Sequence, residues 1–328
     1  MAIELRAYQE GDDAWLEHLI SITFQNDDAM QAYTHYGTTR HTPTFMHTVV
    51  AEDTGSLVGL ASVYQNSLHY HPNDFRVVVV VAEEYQQQGI GTRLHEALLE
   101  HLPVPIARLR GMTLETSPAG MFFEKLGYQK LLRSFGPELD VDRVDVSVYQ
   151  PLLRRLEHSG YTFTTLADLN KENILNDLVD LCLEAYTDTH AHSPPTPNAN
   201  WDEIFLDEDC IDEAFFVVLK QGQPIGFSSL QAGENSTRME SMGDGVARSE
   251  RAVAFPLRLA LKLYEINYAR THGVKVLVWE VDDVDLVGMQ LMRHLPFVVL
   301  PAHQLWVCDV WGDDLGKWHH QNCIGIIG

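Results

Sequence analysis

Five consecutive valines, Val77 to Val81, form an unbroken apolar run of strand length, and the pattern changes period soon after it. Past Gln86, Gln87, Gln88, Gly89, Ile90 and Gly91, apolar residues recur as Ile90, Leu94, Ala97, Leu98 and Leu102. Arg93, His95, Glu96 and Glu100 fill the other positions. The spacing predicts a buried strand, a turn and an amphipathic helix that Pro103 and Pro105 stop. A second strand-like segment from Arg108 to Thr116 precedes a short helical stretch, Ala119 to Lys125, which Gly127 closes. Upstream, Asp53, Thr54, Gly55 and Ser56 separate two apolar runs and predict a hairpin.

The turn after the valines carries candidate chemistry. A helix N-terminus presents unpaired N–H donors and partial positive charge, and glycines there let the backbone approach an anion. The pattern therefore reads as a pyrophosphate cradle. Gly89 and Gly91 lack the third glycine of a dinucleotide fingerprint, and no Gly-Lys-Ser/Thr follows, so neither a nicotinamide nor an NTP site is supported.

Gln86-x-x-Gly89-x-Gly91 resembles the acetyl-CoA loop of the GNAT superfamily of N-acyltransferases, Gln/Arg-x-x-Gly-x-Gly/Ala. Ala119-Gly120-Met121-Phe122-Phe123-Glu124-Lys125-Leu126-Gly127-Tyr128 resembles the family's second signature, in the same order and at similar separation. The resemblance implies that Val81 and its neighbours bond the pantetheine arm by their backbone. It further implies that the N–H groups of Gln87, Gln88, Gly89, Ile90, Gly91 and Thr92 hold the pyrophosphate, with Gln86 at the loop's first position. The helix carrying Phe122 would lie beside the thiol end, and Arg93 and Lys125 are candidates for a local positive patch.

The second half of the chain repeats the first in degraded form. Gly59 and Gly226 are offset by 167 residues, Gly89 and Ala252 by 163, and Gly127 and Pro296 by 169. Clustered offsets near half the length mark a duplicated domain. The chain resembles a tandem GNAT protein, with an N-terminal domain at 1–152, a degenerate second domain at 153–310 and an apolar tail at 311–328 containing Trp318, Ile324, Ile326 and Ile327. The fold expected is α+β, or α/β in looser usage: two mixed sheets of about six or seven strands, each splayed at its centre and flanked by helices. In the second copy Ser249 stands at the Gln/Arg position and Ala252 at the first glycine, while Pro256 removes a donor from the helix start. That copy is expected to hold no coenzyme.

By resemblance, the reaction is direct attack of a primary amine on the acetyl thioester, and Val81 is the candidate whose backbone N–H polarises the carbonyl. A general base and acid are harder to assign, because the strand is all valine and the family's Tyr position reads Phe123. Candidates are Glu83 and Glu84 beside the cradle, Glu115 after the next strand, and His69 and His71 before the valines, each also compatible with a solvated surface. Tyr128 reads as a core residue. A non-catalytic acyl-CoA sensor is the alternative to a transferase.

Composition narrows partners and place. With 46 acidic and 23 basic residues the formal net charge is -23, which repels nucleic acid. The same field suits a cationic small-molecule or peptide amine and serves solubility equally. The first ten residues lack a signal-peptide core and no apolar run reaches membrane-spanning length, so a cytoplasmic monomer or homodimer is expected. Cys182, Cys210, Cys308 and Cys323 show no CxxC spacing and read as reduced thiols. No metal is expected: His69-x-His71, His190-x-His192 and His319-His320 lack a spaced third ligand.

Overall fold

A computed structural model describes residues 3–25, 30–31, 34, 45–65, 73–103, 106–190, 206 and 210–311. The first half of the chain runs β1 (Glu4–Ala7), α1 (Asp13–Thr23), β2 (Met46–Asp53), β3 (Ser56–Tyr64), β4 (Asp74–Val81), α2 (Ile90–Leu99), β5 (Ile106–Leu114), α3 (Ala119–Lys125), β6 (Gln129–Phe135) and β7 (Glu138–Asp140). The second runs α4 (Gln150–His158), β8 (Tyr161–Thr165), α5 (Lys171–Thr189), β9 (Phe215–Lys220), β10 (Gln223–Ala232), β11 (Arg238–Val246), α6 (Ala254–Thr271), β12 (Val276–Val278), β13 (Val281–Asp282), α7 (Leu286–His294) and β14 (His303–Trp311). The α+β class and the two mixed sheets agree with the sequence.

Unit 1 comprises residues up to Leu132 together with β14, and unit 2 comprises Arg133–Ala302. The division differs from the expected one at 152/153 and 310/311. Its cause is hydrogen bonding that no repeat pattern records. Antiparallel β14 pairs with β5 along its whole length, from His303↔Leu114 to Trp311↔Ile106. In return β7, from the first half, pairs with β12 in unit 2. Each unit thus takes its last strand from the other half of the sequence. The apolar tail from residue 312 onward lies outside the described residues.

In unit 1 the strand order is β1-β2-β3-β4-β5-β14-β6. The β2–β3 hairpin turns through Thr54 (φ 50°) and Gly55 (φ 88°), two left-handed residues whose twist matches the strands they join. One face of the sheet packs against α2 and α3 through Leu94, Leu98, Phe123 and Trp306. The other packs against α1 through Leu16, Leu19 and Ile20 on Val50, Leu60, Val78 and Val80. Covered on both faces, β4 has no polar side to show, which explains five valines in succession.

Unit 2 has the order β7-β12-β11-β10-β9-β8. Its hairpin turns through Gln221 (φ 54°) and Gly222 (φ 82°), the same solution at the equivalent place. The long α6 buries Leu257, Leu261, Leu263 and Ile266 against the sheet. None of the described helices is long and apolar enough to cross a membrane. Cys182 and Cys308 are buried and Cys210 half-buried, all as free thiols; burial pushes the Cys182 thiol well up.

Candidate functional site

β4 and β5 are parallel partners only at their beginnings, from Asp74↔Arg108 to Arg76↔Arg110. Arg110 closes this end by donating from Nε to both Asp74 oxygens at 2.7 Å, in an ion pair whose arginine is almost fully buried. Beyond it the strands part, while β4 stays paired with β3 as far as Val81↔Gly59. The N–H of Ala82 donates to the Val58 carbonyl at 2.9 Å. Strand alternation then turns the N–H groups of Val79 and Val81 away from β3 and into the gap. Val81 was expected there from the sequence. The resemblance pointed to its neighbours without naming them, and the alternation singles out Val79.

The Val81 carbonyl, on the same edge, accepts from Gln86 Nε2 at 2.9 Å. The loop's defining Gln thus ties the end of the strand to the turn after it. Tyr85 anchors the same turn by donating from its hydroxyl to Asp53 at 3.1 Å. Gln86, Gln87, Gln88 and Gly89 are exposed, and Gln87 (φ 59°) and Gly89 (φ 79°) are left-handed. This backbone leads into α2, whose first N–H groups at Ile90, Gly91 and Thr92 have no partner within the helix. Ile90 is itself 2% exposed, so only its backbone can serve an anion.

The two glycines have different reasons. At Gly89 an added Cβ would meet no atom of the chain, and the requirement is the positive φ. At Gly91 a Cβ would stand 3.2 Å from the Phe122 ring and 3.7 Å from Val79. Gly91 therefore lets α2 close onto Phe122 of α3 and Val79 of β4. Lys125 stands exposed on the last turn of α3. The Arg93 guanidinium donates to the Ile3 carbonyl at 3.0 Å.

The catalytic candidates fare unevenly. Glu83 and Glu84 are exposed on a single 3-10 turn, and Glu115 is exposed just past the end of β5. His69 and His71 lie outside the described residues, as do His192 and the pair at 319 and 320. His190 stacks on Tyr186 with ring centroids 4.3 Å apart. Among the described residues no group of three or more His, Cys, Asp or Glu is arranged to hold a metal. Phe123 is core, pressed over Gly111, whose missing Cβ would fall inside van der Waals contact of the ring. Tyr128 is core as well, and its hydroxyl meets His95 Nε2 at 2.9 Å. His95 departs from the sequence reading, which put it on the polar face of α2. It is 1% exposed, and burial lowers its pKa from 6.5 to about 4, so the imidazole is neutral. A tyrosine 33 residues away in sequence, not helical period, meets it.

The second copy repeats this geometry and fills it differently. β11 and β12 pair in parallel only from Arg238↔Val276 to Glu240↔Val278, and Ala247 donates to Ile225 at 2.9 Å as Ala82 does to Val58. Where the strands part, Arg258 from α6 forks between Asp244 on β11 and Asp285 at the start of α7, with four hydrogen bonds of 2.8–2.9 Å. Lys262 donates to Glu265 at 2.6 Å, and the Trp279 ring lies 4.5 Å from Lys262 and 5.8 Å from Arg258. Burial would raise the Asp244 carboxyl, but Arg258 and Lys262 hold it below its usual value.

The turn equivalent to the cradle is a 3-10 segment, Arg248–Val253, with no left-handed residue. Its Arg248 N–H donates to a Glu184 carboxylate oxygen at 2.7 Å, and Arg248 and Arg251 both bond Asp188. Protein carboxylates thus take the donors that an anionic ligand would need. Pro256, in the first turn of α6, offers none.

Residues 45–130 match the Acetyltransferase (GNAT) domain family. The chain carries a GNAT domain. No curated protein matches the sequence. Among solved structures, a GCN5-related N-acetyltransferase from Sphaerobacter thermophilus is 17% identical, with a TM-score of 0.64 over 94% of this chain and 96% of that one. A tandem GNAT protein from the clavulanic acid biosynthesis pathway is 16% identical, with a TM-score of 0.60 over 94% and 98%. A glucosamine N-acetyltransferase region of a fungal multi-domain β-N-acetylglucosaminidase is 17% identical, with a TM-score of 0.66 over 93% of this chain and 38% of that one. At these identities the likeness is one of fold, and it extends the GNAT architecture over both units.

Proposed function

We propose that this protein is an acetyl-CoA-dependent N-acetyltransferase with one coenzyme site per chain, in unit 1. The observation that carries the reading is the parting of β4 from β5 beside the Gln86–Gly91 turn, which turns the N–H groups of Val79 and Val81 toward one gap. The coenzyme's pyrophosphate fits the first N–H groups of α2, and its arm fits the open edge of β4. A backbone N–H fixed in a strand polarises the thioester carbonyl without reorganising, and the same frame holds the amine for attack. Val81 remains the candidate for that N–H, with Val79 beside it.

The acceptor is a primary amine of a small molecule or peptide, and the acidic balance of the chain suits a cationic one. The bridged opening and pinned turn of unit 2 support a single site. Calorimetric titration of acetyl-CoA into the wild type and into Gly89→Trp tests this. One site in the wild type and none in the variant is the expected result; two sites in the wild type would refute the reading of unit 2, and none that of unit 1. Release of CoA thiol with a panel of primary amines then separates a transferase from a sensor.

A further inference from the structure

The gap beside β4 opens on two faces of the unit 1 sheet, and alternation assigns the side chains of β5 and β14 to each. Gly111 lies under Phe123, and Trp306 donates from Nε1 to Thr113 at 2.9 Å. Gly111, Thr113, Gln304, Trp306 and Cys308 therefore face α3, because Gly111 pairs with Trp306 and Thr113 with Gln304. Met112 and Leu114 on β5 and His303, Leu305 and Val307 on β14 face the other way, with Leu114 directly opposite His303. Leu305 is buried, and Met112, Leu114, His303 and Val307 are half-buried.

The cradle and α2 occupy one side of the sheet, so an arm entering there brings its thioester through the gap toward the opposite face. An amine must then approach over Met112 and Leu114. That surface is apolar except at its ends. At the closed end Arg108 pairs with Asp309 and Arg110 with Asp74, all on the same face. At the open end stands the imidazole of His303. Glu115 follows Leu114 in the turn past the strand, and Lys130 on β6 lies over the Trp306 ring on the other face.

We propose that His303 is the proton acceptor for the attacking amine, an inference that rests on the transferase reading above. The amine nitrogen bonds to the thioester carbonyl carbon, and its surplus proton passes to a ring nitrogen of His303. The C–S bond breaks, and the departing thiolate takes up a proton from solvent while the imidazolium returns its own. Imidazole is the side chain that exchanges a proton near neutral pH. β5 stands between β14 and β4, and strands lie about 4.8 Å apart where they pair, so the imidazole is at least about 10 Å from the β4 backbone and farther where β4 and β5 part. An amine lying over Leu114 stands between the two, and water relays its proton to the imidazole. The site is assembled from both halves of the sequence, since β14 comes from the second repeat and the cradle from the first.

The test compares wild type, His303→Gln and His303→Ala in thiol release with spermidine, glucosamine and an α-amino peptide between pH 5.5 and 9, with acetyl-CoA binding followed by calorimetry. Expected are coenzyme affinities within twofold of one another, a fall of about 100-fold in kcat/KM for the Gln variant at pH 7.5, and loss of the decline in rate toward acid. Free imidazole should restore part of the rate to His303→Ala. A Gln variant with wild-type rate and the same acid decline overturns the proposal alone, as does an equal loss of coenzyme binding, which marks a structural role. A wild type that binds acetyl-CoA but frees no thiol with any amine overturns the transferase reading and this inference together.

Discussion

Cutting the chain at the boundary its internal repeat suggests should destroy unit 1. A fragment of residues 1–152 keeps the whole cradle, β4, α2 and α3, but it lacks β14. In the intact protein Leu305, Trp306, Cys308 and Val310 are at most 9% exposed. At roughly 1.5–3 kcal/mol for each large apolar side chain withdrawn from water, they contribute on the order of 8 kcal/mol. That is comparable with the whole stability of a typical domain, about 5–15 kcal/mol. The loss is compounded because β5 would show a bare edge and Phe123 would lose the Trp306 ring stacked 6.3 Å away. The assay is urea unfolding followed by tryptophan fluorescence and circular dichroism, with acetyl-CoA titration alongside. It would be run on the full chain, on 1–152, and on 1–152 joined by a glycine-serine linker to residues 302–311. The fragment should show no cooperative transition and no coenzyme binding, and the appended strand should restore both. A fragment that unfolds cooperatively and binds acetyl-CoA as the full chain does would refute the assignment of β14 to this unit.

Arg258→Ala should destabilise unit 2 by about 3–5 kcal/mol, because it strands the carboxylates of Asp244 and Asp285 in the interior; a fall of less than 1 kcal/mol in chemical denaturation would refute the buried network. Gly91→Ala should weaken acetyl-CoA binding about tenfold by pushing Phe122 aside, and adding Phe122→Leu should recover part of it; titration calorimetry on both variants decides. The His95 pKa is lowered on folding from 6.5 to about 4, so its contribution is present above pH 6.5 and lost as pH falls toward 4. Urea midpoints at pH 7.5 and 4.5 should show wild type losing about 2–3 kcal/mol that His95→Gln does not lose; parallel decline of both would contradict it. The carboxyl of Asp282, raised by burial to about 7, costs stability as pH rises through that value. Asp282→Asn should therefore stabilise the protein at pH 8 and leave it unchanged at pH 4, as thermal melts at the two values would reveal.

Much of the candidate site was legible in the sequence because its parts are contiguous. The valine run, the Gln86–Gly91 turn and the helix after it are specified by local pattern and backbone freedom, and the strand, turn and helix stand where that pattern predicts them. The same locality exposed the degeneracy of the second copy at Ser249, Ala252 and Pro256. Long-range packing and pairing were not legible. His95 sits at a polar-looking helix position and is buried because Tyr128 meets it. Arg93 turns to the Ile3 carbonyl, far away in sequence. Gly91 reads as an anion-binding glycine, and the structure adds a packing reason, its closeness to Phe122. The ion network around Arg258 joins residues of β11, α6 and α7, none of which announces the others.

The sequence alone determined the two repeats, their α+β elements and the glycine-bearing turn before α2, because short-range periodicity and glycine conformation act within a few residues of chain. Only the tertiary structure decided which strands belong to which unit, since a β-strand satisfies its hydrogen bonds with whatever edge it meets. β14 meets β5 and β7 meets β12, so a duplication that reads as two successive domains folds as two units that exchange their last strands.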